Sequence, residues 1–263
     1  MTVDPKIHGG GPNPEVDTHR MPLLDHLKEL RTRLIISMIA VAVGMVVAFV
    51  AVDPIFTWLT QPFNQAMETT GTEGGLAIVT SPFEGVYTYI KVGVFGGLIL
   101  ALPVVVYQVW QFIAPGLYKT EQRVVYPLAI SSTLLFLLGA VFCYYVMFPV
   151  AFPFFLEVLD ANANLSLGGY LSAVVKMMLA FGLCFQLPVG VFFLARMGLI
   201  DHHDMVRGFR YAVVGLFMLA ALITPPEVFT QVLLAVPLVV LYALSIVVAW
   251  AVSTKKRVLE PLA

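Results

Sequence analysis

Six long apolar segments dominate this sequence and limit the folds that the chain can adopt. The first has 19 residues, and at about 1.5 Å per residue it nearly matches a hydrocarbon core of about 30 Å. Only 12% of the residues are charged, whereas a soluble domain has about 25%. The sequence therefore predicts an all-α, polytopic membrane protein with six transmembrane helices, at residues 34–52, 86–113, 124–149, 170–195, 211–223 and 228–252.

The fifth apolar segment is much shorter than its neighbours. YAVVGLFMLAALI has 13 residues between Arg210 and Pro225, so it reaches only about 20 Å. A segment shorter than the hydrocarbon core is accommodated by a thinner bilayer or by longer neighbouring helices. We therefore expect a short fifth helix.

The distribution of Lys and Arg predicts the orientation of the chain. Thirteen of the fifteen basic residues lie in the leader, in the loops after segments two and four, or after segment six. The alternate loops, 53–80, 150–169 and 224–227, contain acidic residues but no basic ones. Because cytoplasmic loops are enriched in Lys and Arg, both termini are predicted to be cytoplasmic (N-in, C-in).

Three regions follow from this pattern. Residues 1–20 contain GGGPNP and lack apolar periodicity, so they are expected to form a disordered cytoplasmic tail. Residues 21–255 are expected to form the six-span domain, and residues 256–263 a cytoplasmic C-terminal tail.

The two remaining cations, Lys91 and Lys176, lie one or two turns inside the predicted outer ends of segments two and four. The favoured interpretation is that their side chains extend to the outer membrane interface. The alternative is a polar lining that faces a water-filled cavity between the two helices.

Local motifs predict how the spans begin, bend and pack. Ser81-Pro82-Phe83-Glu84 has the pattern of a capping box and predicts the start of a helix. Gly93 and Gly97 form a G-x-x-x-G pair that lets another helix approach closely. PIFTWLTQPF, in the loop 53–85, looks like an amphipathic piece on the outer surface. Prolines that interrupt the spans predict a bent, concave bundle: Pro103, Pro127, Pro149, Pro153, Pro188 and Pro237.

The usual motifs of catalysis are absent from the sequence. It contains no H-E-x-x-H, no G-x-S-x-G and no P-loop. Cys143 and Cys184 fall inside apolar runs and are interpreted as small core residues. We therefore predict no catalytic residue, no metal site and no cofactor, and the chain is not expected to be an enzyme.

Four motifs together resemble the TatC family, the polytopic receptor subunit of the twin-arginine protein translocase. They occur in the family's order and on the predicted sides of the membrane, and the resemblance runs from about residue 23 to about residue 255. It implies six helices in a cupped arrangement with short late helices. The motifs are HLKELRTRL, SPFE, LPVVVYQVWQFIAPGLYKTEQR and ITPPEVFTQVLLAVP.

The resemblance implies a receptor that binds the twin-arginine signal peptides of folded precursors at the cytoplasmic face. It implies recruitment of the single-span subunits TatB and TatA, and export driven by the membrane potential or the proton motive force. Self-association within a receptor complex in the bacterial cytoplasmic (inner) membrane is expected, and no nucleic-acid partner.

The resemblance also implies the signal-peptide site. Glu29 and Glu121 correspond to the family's two glutamates, and an arginine pairs bidentately with a carboxylate in a geometry that lysine cannot copy. Arg31 and Phe112 match further positions linked to recognition. The alternatives are an i,i+4 pair of Glu29 with Arg33, a solvated loop charge for Glu121, a membrane anchor for Arg31 and simple packing for Phe112.

Partner binding is implied for Thr224, Gln231 and Glu227, around the last outer loop; for Thr224 and Gln231 the alternative is internal helix–helix hydrogen bonding. Pro62 and Pro103 match structural prolines of the family.

Gln186 departs from the family pattern, because many relatives carry a carboxylate there. A neutral amide cannot titrate, so a mechanism that needs a proton at this position is in doubt for this chain. The alternative function is a secondary transporter of a small solute. That function predicts inverted repeats and matching mid-membrane polar groups in the two halves, and the sequence shows neither.

Overall fold

The computed structural model describes residues 23–69, 82–113, 124–158, 166–223 and 228–259, and these residues are almost entirely helical. A π-helical segment, Cys143–Met147, joins the fourth and fifth helices. The α-helices are α1 (Leu23–Val50), α2 (Val52–Thr69), α3 (Pro82–Ile113), α4 (Val125–Phe142), α5 (Phe148–Val158), α6 (Leu167–Cys184), α7 (Leu187–Met197), α8 (His202–Ile223) and α9 (Val228–Leu259).

Six helical stretches are long and apolar enough to cross a membrane, which confirms the predicted all-α, six-span fold. The third combines α4 with α5, and the fourth combines α6 with α7. We call the end of the bundle where α1 begins the proximal end, and the end where α2 lies the distal end. The spans are Asp25–Val50, Phe83–Ile113, Val125–Phe154, Leu167–Met197, His202–Ile223 and Gln231–Val252.

The fifth span is shorter than the second to fourth spans, as predicted, although its helix is longer than the apolar segment alone. α8 has 22 residues, against 30 or 31 in the second to fourth spans. Its first nine residues, 202–210, precede the apolar segment and include Asp204, Arg207 and Arg210. Backbone hydrogen bonding continues the helix through these polar residues, because a helix does not require apolar side chains at an exposed end.

α1 and α3 run antiparallel and approach closely through glycines. A Cβ atom at Gly44 would lie 2.5 Å from the carbonyl oxygen of Gly97, and one at Gly97 would lie 2.6 Å from the backbone of Met45. A Cβ atom at Gly93 would lie 2.5 Å from the ring of Phe49. The close approach predicted for Gly93 and Gly97 is therefore confirmed, and α1 is the helix that approaches.

The amphipathic piece predicted in the loop 53–85 is α2. It buries Leu59, Pro62 and Phe63 on one side. Tyr144 donates a hydrogen bond to the Trp58 carbonyl oxygen, and their rings stack with centroids 4.1 Å apart. These contacts fix α2 across the distal ends of the spanning helices, and Pro62 lies inside this packed helix.

The fourth span is broken at Phe185 and Gln186, between α6 and α7. The backbone N–H of Gln186 bonds to Leu183 instead of Gly182, and Pro188 has no N–H to donate. The Gln186 side-chain amide instead donates to the carbonyl oxygens of Ser132 at 2.9 Å and Gly182 at 3.4 Å. A polar side chain thus satisfies backbone oxygens at the break, as a bend inside a membrane requires.

Candidate functional site

Glu29 lies in the second turn of α1, on the face that packs against the end of α3. His26, Glu29 and Arg33 are spaced three and four residues apart, so a helix places them on one face. The Glu29 carboxylate is partly buried, with 19% of its side chain exposed. The Glu29 carboxylate is therefore accessible to a ligand at the proximal end of the bundle.

Arg33 connects this carboxylate to α3. Its Nη2 atom lies 3.3 Å from Glu29 Oε1 and 3.4 Å from Gln111 Oε1, while its Nη1 atom donates to Gln108 Oε1 at 3.0 Å. Gln108 is buried, and Gln111 donates in turn to the hydroxyl of Tyr107 at 2.7 Å. One guanidinium therefore contacts three acceptors on two helices and connects the Glu29 carboxylate to α3.

A ring stack lies beside the other carboxylate oxygen. His26 stacks on Phe112 with centroids 4.4 Å apart and planes inclined by 13°. The Nδ1 atom of His26 is 4.0 Å from Glu29 Oε2. Oε1 thus pairs with Arg33, whereas Oε2 lies nearest to His26, 4.0 Å from its Nδ1 atom. A carboxylate with one oxygen outside the Arg33 pair can accept hydrogen bonds from a second planar cation.

The structure brings together some of the residues implied for this site and not others. Glu29 and Phe112 lie in one cluster through His26. Arg31 lies on the exposed side of α1, and none of the contacts described for the cluster involves it. Glu121 lies outside the described residues, between the end of α3 at Ile113 and Val124.

His26, Gln108 and Gln111 were not identified from the sequence. The spacing of His26 to Glu29 by three residues was the signal that could have found the first of them. The two glutamines belong to YQVWQF, which the resemblance includes as a motif without assigning a role to either side chain.

Changing Arg33 to lysine is expected to destabilise the junction of α1 and α3 by about 1–2 kcal/mol, because an ammonium cannot reach three acceptors and the buried Gln108 oxygen loses its donor. The expected loss is small because 28% of the Arg33 side chain is exposed to solvent, which screens its interactions. Thermal unfolding in detergent measures the change. Arg207→Lys, at an exposed position of α8, is the matched control, and equal unfolding temperatures for the two variants would contradict the prediction.

The residues implied in partner binding lie near the junction of α8 and α9. Gln231 donates from Nε2 to the carbonyl oxygen of Phe217 at 3.1 Å, so it makes the internal hydrogen bond that the alternative interpretation proposed. Thr224 and Glu227 lie outside the described residues. α8 also leaves an apolar stripe exposed at three- or four-residue spacing, formed by Tyr211, Val214, Met218 and Leu222.

Three residues at the start of α8 could approach a metal ion. The ligand atoms of Asp201, His202 and His203 lie within 4.8 Å of one another. Asp201 Oδ1 accepts a hydrogen bond from the backbone N–H of His202 at 2.8 Å and lies 2.8 Å from its Nδ1. Asp201 is the N-cap residue of α8, because its carbonyl oxygen accepts from the backbone N–H groups of Asp204 and Met205 at 3.1 and 3.3 Å, and its own N–H donates to Asp204 Oδ2 at 3.3 Å.

Comparison with known proteins identifies the family. A family described as Sec-independent protein translocase protein (TatC) matches residues 25–237. The TatC protein of Desulforapulum autotrophicum is 42% identical over 242 residues, which cover 91% of this chain and 88% of the relative. That of Aquifex aeolicus is 38% identical, covering 91% and 99%, and that of Escherichia coli K12 is 38% identical, covering 86% of each.

A solved structure shows the same fold. The crystal structure of a twin arginine translocase receptor, TatC, superposes with a TM-score of 0.75 at 38% identity, and the match covers 87% of this chain and 99% of that one. A second crystal structure of TatC, in the detergent DDM, gives a TM-score of 0.76. These matches favour a translocase over the small-solute transporter. The chain therefore belongs to the TatC family, as a multi-pass membrane component of a Sec-independent protein translocase and not an enzyme.

Proposed function

We propose that this protein is the receptor of a twin-arginine translocase in the bacterial cytoplasmic membrane, with both termini in the cytoplasm. Glu29 and Glu121 each bind one arginine of the signal peptide. The observation that carries the proposal is the Glu29 carboxylate, which pairs with Arg33 through Oε1 while Oε2 lies 4.0 Å from Nδ1 of His26, the ring that stacks on Phe112.

The selectivity for arginine follows from this geometry. A guanidinium presents a planar fork that can donate to Oε2 and lie against the rings of His26 and Phe112, whereas an ammonium is a compact point charge. Arg31 lies on a different, exposed face of α1. There it contacts the peptide outside the cluster that Glu29 forms with His26 and Phe112. Phe112 acts through His26, because it fixes the plane of that ring.

The affinity of the two carboxylates alone is limited. A charged hydrogen bond contributes about 1.5–3 kcal/mol, so two contribute about 3–6 kcal/mol, which corresponds to roughly millimolar binding or slightly better. The apolar stretch of the signal peptide supplies the remainder. Exposed apolar side chains along α1, such as Leu30, Leu34 and Met38, extend from the Glu29 turn into the membrane and offer a surface for it.

The same proposal includes TatB and TatA as partners at α8 and α9, through Thr224, Gln231 and Glu227, and self-association of receptor copies. The exposed stripe of α8 supports this assignment, since a spanning helix that packs mainly on one neighbour has a free apolar face. The membrane potential drives export and supplies about 2.3 kcal/mol per elementary charge per 100 mV.

Glu29→Gln is expected to weaken binding of a twin-arginine signal peptide by about tenfold or more, because the amide keeps the shape of the side chain but loses the charged hydrogen bond. Fluorescence anisotropy with a labelled peptide and the purified full chain measures the change.

Asp25→Asn is the matched control for this test. It removes the same charge one turn earlier in α1, from an acid whose side chain is 52% exposed and paired with Lys28 at 3.0 Å. Equal affinities for wild type and Glu29→Gln would refute the receptor role of Glu29. If Glu29→Gln and Asp25→Asn lower the peptide affinity equally, the peptide binds only through the net charge of the proximal end.

A further inference from the structure

Two lysines on neighbouring helices lie inside the distal half of the bundle. Lys91 belongs to α3 and Lys176 to α6, and both side chains are exposed. Lys91 Nζ donates to the hydroxyl oxygen of Ser172 at 2.6 Å. Ser172 lies one helical turn before Lys176, so the spacing places the Lys176 side chain beside this contact on the same face of α6.

The depth of the lysines follows from the lengths of their spans. As straight helices, these spans of 31 residues each would be about 46 Å long, and a centred span of that length exceeds a hydrocarbon core of about 30 Å by about 8 Å at each end. Lys91 and Lys176 lie about 12–14 Å from the distal starts of their spans, so their Cα atoms lie about 4–6 Å inside the core. Helical side chains lean toward the helix N-terminus, and both helices start at the distal end. The two ammonium groups are thus directed to the same membrane boundary.

The protein supplies no counter-charge to them within the part of the chain that the structure describes. Neither lysine has a carboxylate within 4.0 Å there. Glu84, which lies two helical turns before Lys91 in α3, binds the start of α6. Its carboxylate accepts hydrogen bonds from the Ser166 hydroxyl and from the Gly168 backbone N–H, the latter at 2.9 Å. Two cations at this depth, with no counter-charge from the described residues, favour the binding of an anion there.

We propose that Lys91, Lys176 and Ser172 form a binding site for the phosphate of an anionic phospholipid at the distal membrane boundary. Lipid phosphate is the anion that the bilayer itself places at the level of both ammonium groups. The Lys91–Ser172 contact fixes one donor in advance, which lowers the ordering cost of binding. The site lies at the opposite end from Glu29, and it does not depend on the receptor function.

The test titrates the purified full chain in detergent with phosphatidylglycerol and, separately, with phosphatidylcholine, and counts bound lipids by native mass spectrometry. Wild type is expected to prefer phosphatidylglycerol. K91Q/K176Q is expected to weaken phosphatidylglycerol binding by about tenfold or more, since each basic residue near a lipid surface contributes about fivefold. K91R/K176R retains both charges and is expected to retain the preference.

Two controls decide the interpretation. R207Q/R210Q removes two cations from α8 at the proximal end and is expected to bind phosphatidylglycerol as wild type does. Inorganic phosphate, added as a competitor at the same concentration as the lipid, is expected not to displace it. Unchanged lipid binding in K91Q/K176Q, loss of binding in K91R/K176R, an equal loss in R207Q/R210Q, or full displacement by inorganic phosphate would each overturn the proposal. Thermal unfolding verifies that every variant is folded.

Discussion

A chain in which Glu29 and Glu121 are both changed to glutamine is expected to lose binding of a twin-arginine signal peptide by about 100-fold or more. Each charged hydrogen bond contributes about 1.5–3 kcal/mol, and the double change removes two of them while side-chain size is preserved. The Arg33 fork can still donate to a glutamine oxygen at position 29, so α1 and α3 are expected to stay together. Anisotropy of a labelled peptide, with thermal unfolding as the folding control, measures both effects.

The two single variants and the double variant form a cycle that tests how the arginines are divided. If each carboxylate binds its own arginine, the two losses of binding free energy add to within about 0.5 kcal/mol. If both acids bind one arginine, the double variant loses less than the sum. Asp25→Asn/Asp204→Asn removes the same charge from acids near the same end of the bundle and is the matched control. Binding by the Glu29→Gln/Glu121→Gln chain within threefold of wild type would contradict the prediction.

The membrane spans could be predicted from the sequence because their signal is long and one-dimensional. Apolar runs of about 20 residues have few alternatives in water or lipid. The start of α3 at Pro82 and the close approach at Gly97 were also predictable, since a capping motif and a small-residue pair act locally. The start of α8 at His202 was not, because a helix can extend through polar residues beyond the apolar run that reveals it.

The contacts of the candidate site could be predicted only in part. The Glu29–Arg33 pair follows from a spacing of four residues, but the contact of Arg33 with Gln108 joins residues separated by 75 positions. Such a pairing depends on the register between two helices, which no local pattern determines. The Glu29–Arg33 helix pair and a receptor role of Glu29 are compatible in the structure, because Arg33 pairs with Oε1 while Oε2 lies 4.0 Å from His26 Nδ1.

The structure gives a physical reason for an amide at Gln186. The resemblance to the family implied only that an amide stands at a position of an acid in the family pattern. In the structure the amide donates to carbonyl oxygens of α4 and α6 at the break before α7. An ionised carboxylate could not make these bonds, since it has no hydrogen to donate.

Changing Gly97 to valine is expected to destabilise the chain by more than about 3 kcal/mol. Overpacking in a core typically costs about 1–3 kcal/mol when side chains can shift. At Gly97 the first added carbon would already lie 2.6 Å from the backbone N and Cα atoms of Met45, and backbone atoms of a helix cannot move aside singly. Thermal unfolding in detergent measures the loss. Gly215→Val in α8 is the matched control, because a Cβ atom there meets nothing within 4 Å.

The same substitution is expected to affect the candidate site without touching it. Gly44 and Gly97 are each 11 residues from Arg33 and Gln108 along α1 and α3, so the glycine contact and the Arg33–Gln108 hydrogen bond belong to one antiparallel seam. A valine that separates the helices at Gly97 would move Arg33 from its acceptors, and peptide binding should fall together with stability. Gly97→Val protein that unfolds within a few degrees of wild type, or that binds the peptide unchanged, would show that this seam does not position Glu29.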